Sequence, residues 1–138
     1  MRLYLDANAI VFAVEGPDRL RDFVAAWTER AESSPEGAVL TSRLSLSECL
    51  ILPIRRKDEA AIEKLQRFFA GSVQVLSVDD ELVDMATDLH REYSLKTIDA
   101  LHLATAIRGK ADVFLTRDAG IARYPRIRSV TCEQIPRE

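Results

Sequence analysis

Short apolar runs alternate with helical segments of about ten to fifteen residues along the whole chain, and this alternation limits the possible folds more than any other feature. The first run, RLYLD at 2–6, has period two, with Leu3 and Leu5 on one side and Tyr4 and Asp6 on the other. AVLT at 38–41, VQVLSV at 73–78, DVFLT at 112–116 and a weaker RIRSVT at 126–131 read as further strands. Between them lie five helical patterns, after a short turn-and-helix segment that follows Asp6. The first, within 16–37, has start signals at Pro17 and Asp18 and places Leu20, Phe23, Val24 and Trp27 at helical spacing. The second, SRLSLSECLILPIRRK, is disturbed near its end by Pro53. DEAAIEKLQRFFAG is the third, and the last two are predicted to begin at caps Asp79 and Thr97. Parallel strands need a crossover of helix length, so the pattern predicts βαβ units: an α/β fold with a mainly parallel sheet covered on both faces.

At 138 residues one domain, 1–138, is expected, burying roughly two thirds of its unfolded surface. No basic region precedes an apolar signal core, and no run approaches the ~18 apolar residues of a membrane span, so a cytoplasmic protein is expected. Cys49 and Cys132 are far apart and outside any Cys-x-x-Cys, which argues for two buried thiols rather than a disulfide, a zinc site or a redox pair. The five scattered glycines form neither a dinucleotide-binding nor a P-loop signature.

Four acids stand where the pattern calls for something else. Asp6 and Asp118 each follow a strand-like run, which puts both at the C-terminal edge of a parallel sheet, where open α/β folds bind ligands. Glu48 falls four residues after Leu44 and three before Ile51, interrupting an apolar stripe. Asp99 occupies the first turn of TIDALHLATA, where backbone N–H groups are free. Taken singly, Asp99 reads as a helix-start acid, Asp118 as a turn residue and Glu48 as a partner for Arg43 or Arg55. Asp6 is harder to place, because an ionised carboxylate leaving water without a partner costs several kcal/mol or more.

Taken together, the four favour convergence. Two carboxylates about 4 Å apart repel by roughly 4 kcal/mol at an effective dielectric near 20, so a cluster of them requires a positive centre. Oxygen donors without His or Cys suit Mg²⁺ or Mn²⁺ rather than Zn²⁺. Asn8 and Thr116 flank Asp6 and Asp118 and suit either of two roles, orienting those acids or a bound water by hydrogen bonding, or shaping a turn. Setting four of the 22 acids aside as ligands leaves 18 against 19 bases, so a phosphate-bearing substrate is compatible with the net charge of −3. Arg43, Arg55, Arg56, Lys57 and Arg117 are its candidate partners, Arg117 favoured because it adjoins Asp118. Asp112 belongs at the opposite sheet edge, Asp79 and Asp80 are helix-start residues, and Glu59, Glu63 and Asp84 face solvent. His102 reads as a core histidine and His90 as a surface one, with no second ligand at metal spacing. Trp27 and Phe23 read as core, while Phe68 and Phe69 beside Arg67 suit either the core or a stacking role.

YLDANAIVF, the Glu48 helix, TIDALHLATA and DVFLTRDAGI, in this order, resemble the PIN domain, and the length resembles VapC-type toxins of toxin–antitoxin systems. The resemblance runs from Leu3 to about Val130. It implies a three-layer α/β/α fold and a ribonuclease dependent on Mg²⁺ or Mn²⁺, leaving 5′-phosphate and 3′-hydroxyl ends. It further implies that Asp6, Glu48, Asp99 and Asp118 form the catalytic, metal-binding quartet, supported by Asn8 and Thr116. RNA as substrate, a homodimer and a cognate antitoxin whose C-terminal segment occludes the site complete the expectation. Pro53 and the basic run after it depart from the pattern and leave the length of that helix open.

Two rivals differ in class. A phosphatase-like enzyme would use Asp6 as a covalent nucleophile, but it wants a second Asp two residues on, where this chain has Asn8. A non-catalytic PIN-like module would use the same acids only to bind RNA or a protein partner.

Overall fold

The computed structural model describes residues 1–117 and 119–132. Within them β1 (Arg2–Leu5), β2 (Ala38–Ser42), β3 (Gln74–Leu76), β4 (Val113–Thr116) and β5 (Arg128–Thr131) form one sheet in the order β3-β2-β1-β4-β5, and all four pairings are parallel. The helices are α1 (Ala7–Glu15), α2 (Asp18–Glu32), α3 (Arg43–Arg56), α4 (Glu59–Ala70), α5 (Asp80–Tyr93) and α6 (Thr97–Arg108), with a 3₁₀ turn at Ala119–Arg123.

The two sides of β1 separate as its alternation predicts. Leu3 and Leu5 join a core with Ile10, Val24, Cys49 and Leu65 from α1–α4. Tyr4 joins a second core with Leu82, Ala86, Leu89 and Leu103 from α5 and α6. The fold is therefore α1–α4, sheet, then α5 and α6: a three-layer α/β/α sandwich. Phe68 and Phe69 pack against the first core, their rings edge to face at 5.7 Å, and Phe23 and Trp27 pack against the same core. Cys49 and Cys132 are buried free thiols. Among the described residues no helix is long and apolar enough to cross a membrane.

Several boundaries differ from the sequence reading for local reasons. The last helix is capped by Lys96, which makes no side-chain cap bond; Thr97 is already helical. Asp79, by contrast, caps α5 by accepting from the Leu82 amide. Pro53 does not end α3, which continues to Arg56, because a proline so near the end removes one hydrogen bond and leaves the last turn to close through Lys57. The inward residues of α3 are Ser45 and Cys49, whereas Ile51, Leu52 and Ile54 are about half exposed. Glu48 thus flanks a buried stripe rather than interrupting one.

Lys57 closes α3 in the left-handed region, φ 55° and ψ 35°. A side chain there costs about 1–2 kcal/mol that glycine avoids, against glycine's greater loss of backbone entropy. Lys57→Gly should therefore raise the urea midpoint by a net stabilisation of about 0.5–1 kcal/mol; a lowered midpoint would mean that the Lys57 side chain contributes more than its backbone costs.

Candidate metal centre at the C-terminal edge of the sheet

Three helices begin where strands end. Asp6 follows β1 and is the N-cap of α1; Ser42 ends β2 and caps α3, accepting from the Leu44 amide. The third helix, α6, runs back along the sheet: its C-cap Gly109 offers its carbonyl to Arg2 Nε at the start of β1, so its first turn, with Asp99, lies at the opposite edge. The N-terminal ends of α1, α3 and α6 therefore face one side of the molecule. Their free N–H groups and aligned dipoles favour negative charge there.

Asp6 is buried with 8% of its surface exposed. Its Oδ1 accepts from the Ala9 amide at 2.9 Å and its Oδ2 from the Thr116 hydroxyl at 2.5 Å. Burial raises its pKa nonetheless, outweighing those two bonds and the nearby His102, while the charge of Glu48 raises it further. Among the described residues, the partners of this carboxylate do not offset the cost of its burial.

Glu48 is half-buried, and its partner is His102 rather than Arg43 or Arg55. Its Oε1 lies 2.6 Å from His102 Nε2, and His102 Nδ1 lies 2.7 Å from the Tyr4 hydroxyl. This chain links α3 to α6 and then to β1. Three buried groups feel these charges. Asp6 feels Glu48; the Tyr4 phenol is raised well above its usual value by burial and by Asp6 and Glu48; and the Cys49 thiol is pushed up to about 12 by burial, Glu48 and Asp6.

Of the other sequence candidates, Asn8, Arg43, Arg117 and Asp99 stand at strand ends or helix starts on this side, whereas Arg55, Arg56 and Lys57 lie at the far, C-terminal end of α3. Asn8 is exposed in the first turn of α1, Arg43 is exposed as the first residue of α3, and exposed Arg117 directly follows buried Thr116 at the end of β4. Asp99 is half-buried in the first turn of α6, three residues before His102. Asp118 lies outside the described residues. Among the described residues no three His, Cys, Asp or Glu side chains converge closely enough to hold a metal ion, so Asp6, Glu48 and Asp99 do not by themselves make a closed cage. The donor chemistry still fits a hard cation: the charge of Glu48 acts on Asp6, Asp6 is buried at an energetic cost, and Thr116 supports it by hydrogen bonding. Asp112 sits at the far edge, accepting from the Arg2 amide. His90 is exposed near the end of α5 and bonds the Leu95 carbonyl.

Two participants escape a reading of motifs alone. His102 is a core histidine, 2% exposed, but a buried imidazole needs partners for both nitrogens, and its position one turn after Asp99 on the same helix was a signal that one of them faces the acids. Tyr4 shares a strand face with Asp6 by the period-two rule.

The family described as PIN domain matches residues 3–127. The VapBC2 complex of Rickettsia felis bound to a promoter DNA fragment has a similar chain, with TM-score 0.73, 18% identity, and 95% of this chain and 98% of that one covered. A toxin–antitoxin complex from Klebsiella pneumoniae aligns at TM-score 0.69 and 22% identity over 96% and 99% of the two chains. VapC20 of Mycobacterium tuberculosis, a toxin that cleaves the sarcin–ricin loop, aligns at 0.69 and 18% over 91% and 96%. No curated protein matches the chain in sequence.

Proposed function

The chain belongs to the PIN domain family, and on that premise we propose that it is a ribonuclease dependent on Mg²⁺ or Mn²⁺, the toxin of a toxin–antitoxin pair. The observation that carries the reading is Asp6, a carboxylate buried at a cost that its hydrogen bonds do not offset and under the influence of Glu48, on the side of the molecule where α1, α3 and α6 begin. Asp6, Glu48, Asp99 and Asp118 would hold the cation. A bound divalent cation of this kind supplies a water of lowered pKa and stabilises charge on a leaving oxygen.

The chain's own residues have separate tasks. The Thr116 hydroxyl donates to Asp6 and fixes its plane, while the Ala9 amide holds the other oxygen. Asn8 borders the pocket from α1. Arg43 and Arg117, both exposed at this edge, bind backbone phosphates and set the scissile bond against the acids. The reaction is hydrolysis of an RNA phosphodiester by in-line attack of water on phosphorus, leaving a 3′-hydroxyl.

Ile51, Leu52 and Ile54 supply the surface for an antitoxin. They are 55%, 49% and 58% exposed on α3, the helix that carries Glu48. A partner segment seated on them would lie across the entrance to the acids. The Rickettsia and Klebsiella neighbours are themselves chains of toxin–antitoxin complexes.

The test is cleavage of a panel of tRNA, rRNA and mRNA with Mg²⁺, Mn²⁺ or EDTA. Cutting is expected with either cation and none in EDTA, and Asp99→Asn should slow it by about 100-fold while leaving the fold intact. Cleavage that survives EDTA, or a folded wild-type protein that binds RNA and never cuts it with Mn²⁺, would sink the reading.

A further inference from the structure

We propose that His102 is a positioning residue: it holds the Glu48 carboxylate in place for the cation, and is itself fixed by Tyr4. The inference rests on the functional reading above and adds to it the part that sets the geometry. Glu48 reaches out from α3 on a long side chain that is one third exposed, and its carboxylate is bonded to His102 on α6. His102 is almost fully enclosed on α6, in the opposite layer, and its ring cannot wander.

With a neutral imidazole the hydrogen bonds determine one arrangement of protons. An ionised carboxylate only accepts, so the 2.6 Å contact requires a proton on His102 Nε2. In the neutral ring Nδ1 is then an acceptor, and the Tyr4 hydroxyl at 2.7 Å must donate to it. Each link donates toward the acid: Tyr4 to His102, then His102 to Glu48. The bond occupies one oxygen of Glu48 and leaves the other for a ligand.

A parallel device acts on Asp6, whose Oδ2 is held by Thr116. One strand coordinates both. Tyr4 lies on β1 and Asp6 directly follows that strand, so the strand that leads into the first acid also sets the second through His102. Such outer partners fix ligand orientation in metal sites, and losing one weakens binding by about 10–100-fold.

The experiment compares His102→Gln with His102→Asn by titrating Mn²⁺ into the metal-free protein. The Gln amide nitrogen can stand near Nε2 and still donate to Glu48, whereas the shorter Asn side chain cannot reach it. Gln should keep most of the wild-type affinity and Asn should weaken it by about 10–100-fold, both proteins being folded by circular dichroism. A structural role alone would move both alike, and equal Kd values in Gln, Asn and wild type would overturn the proposal. The imidazole ¹⁵N spectrum of the unsubstituted metal-free protein gives a second reading, independent of variant folding. It should show the Nε2–H tautomer for His102, and an Nδ1–H tautomer would overturn the proposal. A wild-type protein that binds no Mn²⁺ overturns the functional reading as well as this one, and is recognised before any substitution is made.

Discussion

Asp6→Asn should give a folded protein that cuts RNA more than about 100-fold more slowly, beyond the loss of a supporting partner, yet melts at a higher temperature than wild type in EDTA at neutral pH. The two effects share a cause. Burial raises the Asp6 pKa above the value of the unfolded chain, so the native state binds the proton more tightly than the unfolded state does. Stability then falls as pH rises from the unfolded value toward the folded one, and the penalty is complete above the folded pKa. Asparagine removes the charge and the penalty. It keeps an oxygen for the Ala9 amide and so keeps the α1 cap, while its amide can donate to Thr116.

Melting curves in EDTA between acidic and neutral pH check the sign. The gain of the variant should be present at neutral pH and shrink as Asp6 of the wild type becomes protonated. Added Mn²⁺ should raise the wild-type melting temperature, because a ligand of the native state stabilises it, and should leave the variant nearly unmoved. A variant that melts below wild type in EDTA at neutral pH would show that the buried carboxylate is already compensated by the protein, and would remove the main argument for a cation.

That Asp6 could be found in the sequence, and the Glu48–His102 pair could not, follows from the range of the interactions. A carboxylate ending an apolar, alternating run is a local anomaly, visible without any other part of the chain. The sheet was legible for the same reason, since RLYL, AVLT and VFLT declare themselves by composition and period, and the helices between them force parallel order. The bond between Glu48 and His102 spans 54 positions and joins helices from opposite layers, so it exists only after both layers have packed. The α3 stripe misled because Leu44, Glu48 and Ile51 share a helical face, but the sheet buries the neighbouring one, with Ser45 and Cys49. Thr97 has the composition of a cap, yet the chain enters α6 one residue earlier, at Lys96, in extended conformation with φ −63° and ψ 153°.

Phe114→Ala should destabilise the protein severely, through the sheet itself. Phe114 is fully buried on β4, directly across from Tyr4 in the β1–β4 register, and the two rings lie 4.8 Å apart. Removing such a ring costs about 3–5 kcal/mol, a large share of the ~5–15 kcal/mol that holds a domain together. The melting temperature should fall by roughly 10–20 °C, and the urea midpoint should drop at unchanged slope. Phe114→Leu, which keeps most of the apolar bulk, should lose less. The position also bears on the site, because Tyr4 is wedged between Phe114 and His102, its ring 5.9 Å from the imidazole and nearly edge-on. A hole beneath Tyr4 lets the phenol move, and with it the imidazole that holds Glu48. Mn²⁺ affinity of Phe114→Ala, measured well below its melting point, should therefore fall even where the protein is fully folded. Wild-type affinity in that folded variant would mean that the rings stabilise the sheet without governing the carboxylates, and that His102 keeps its place by the packing of α6 alone.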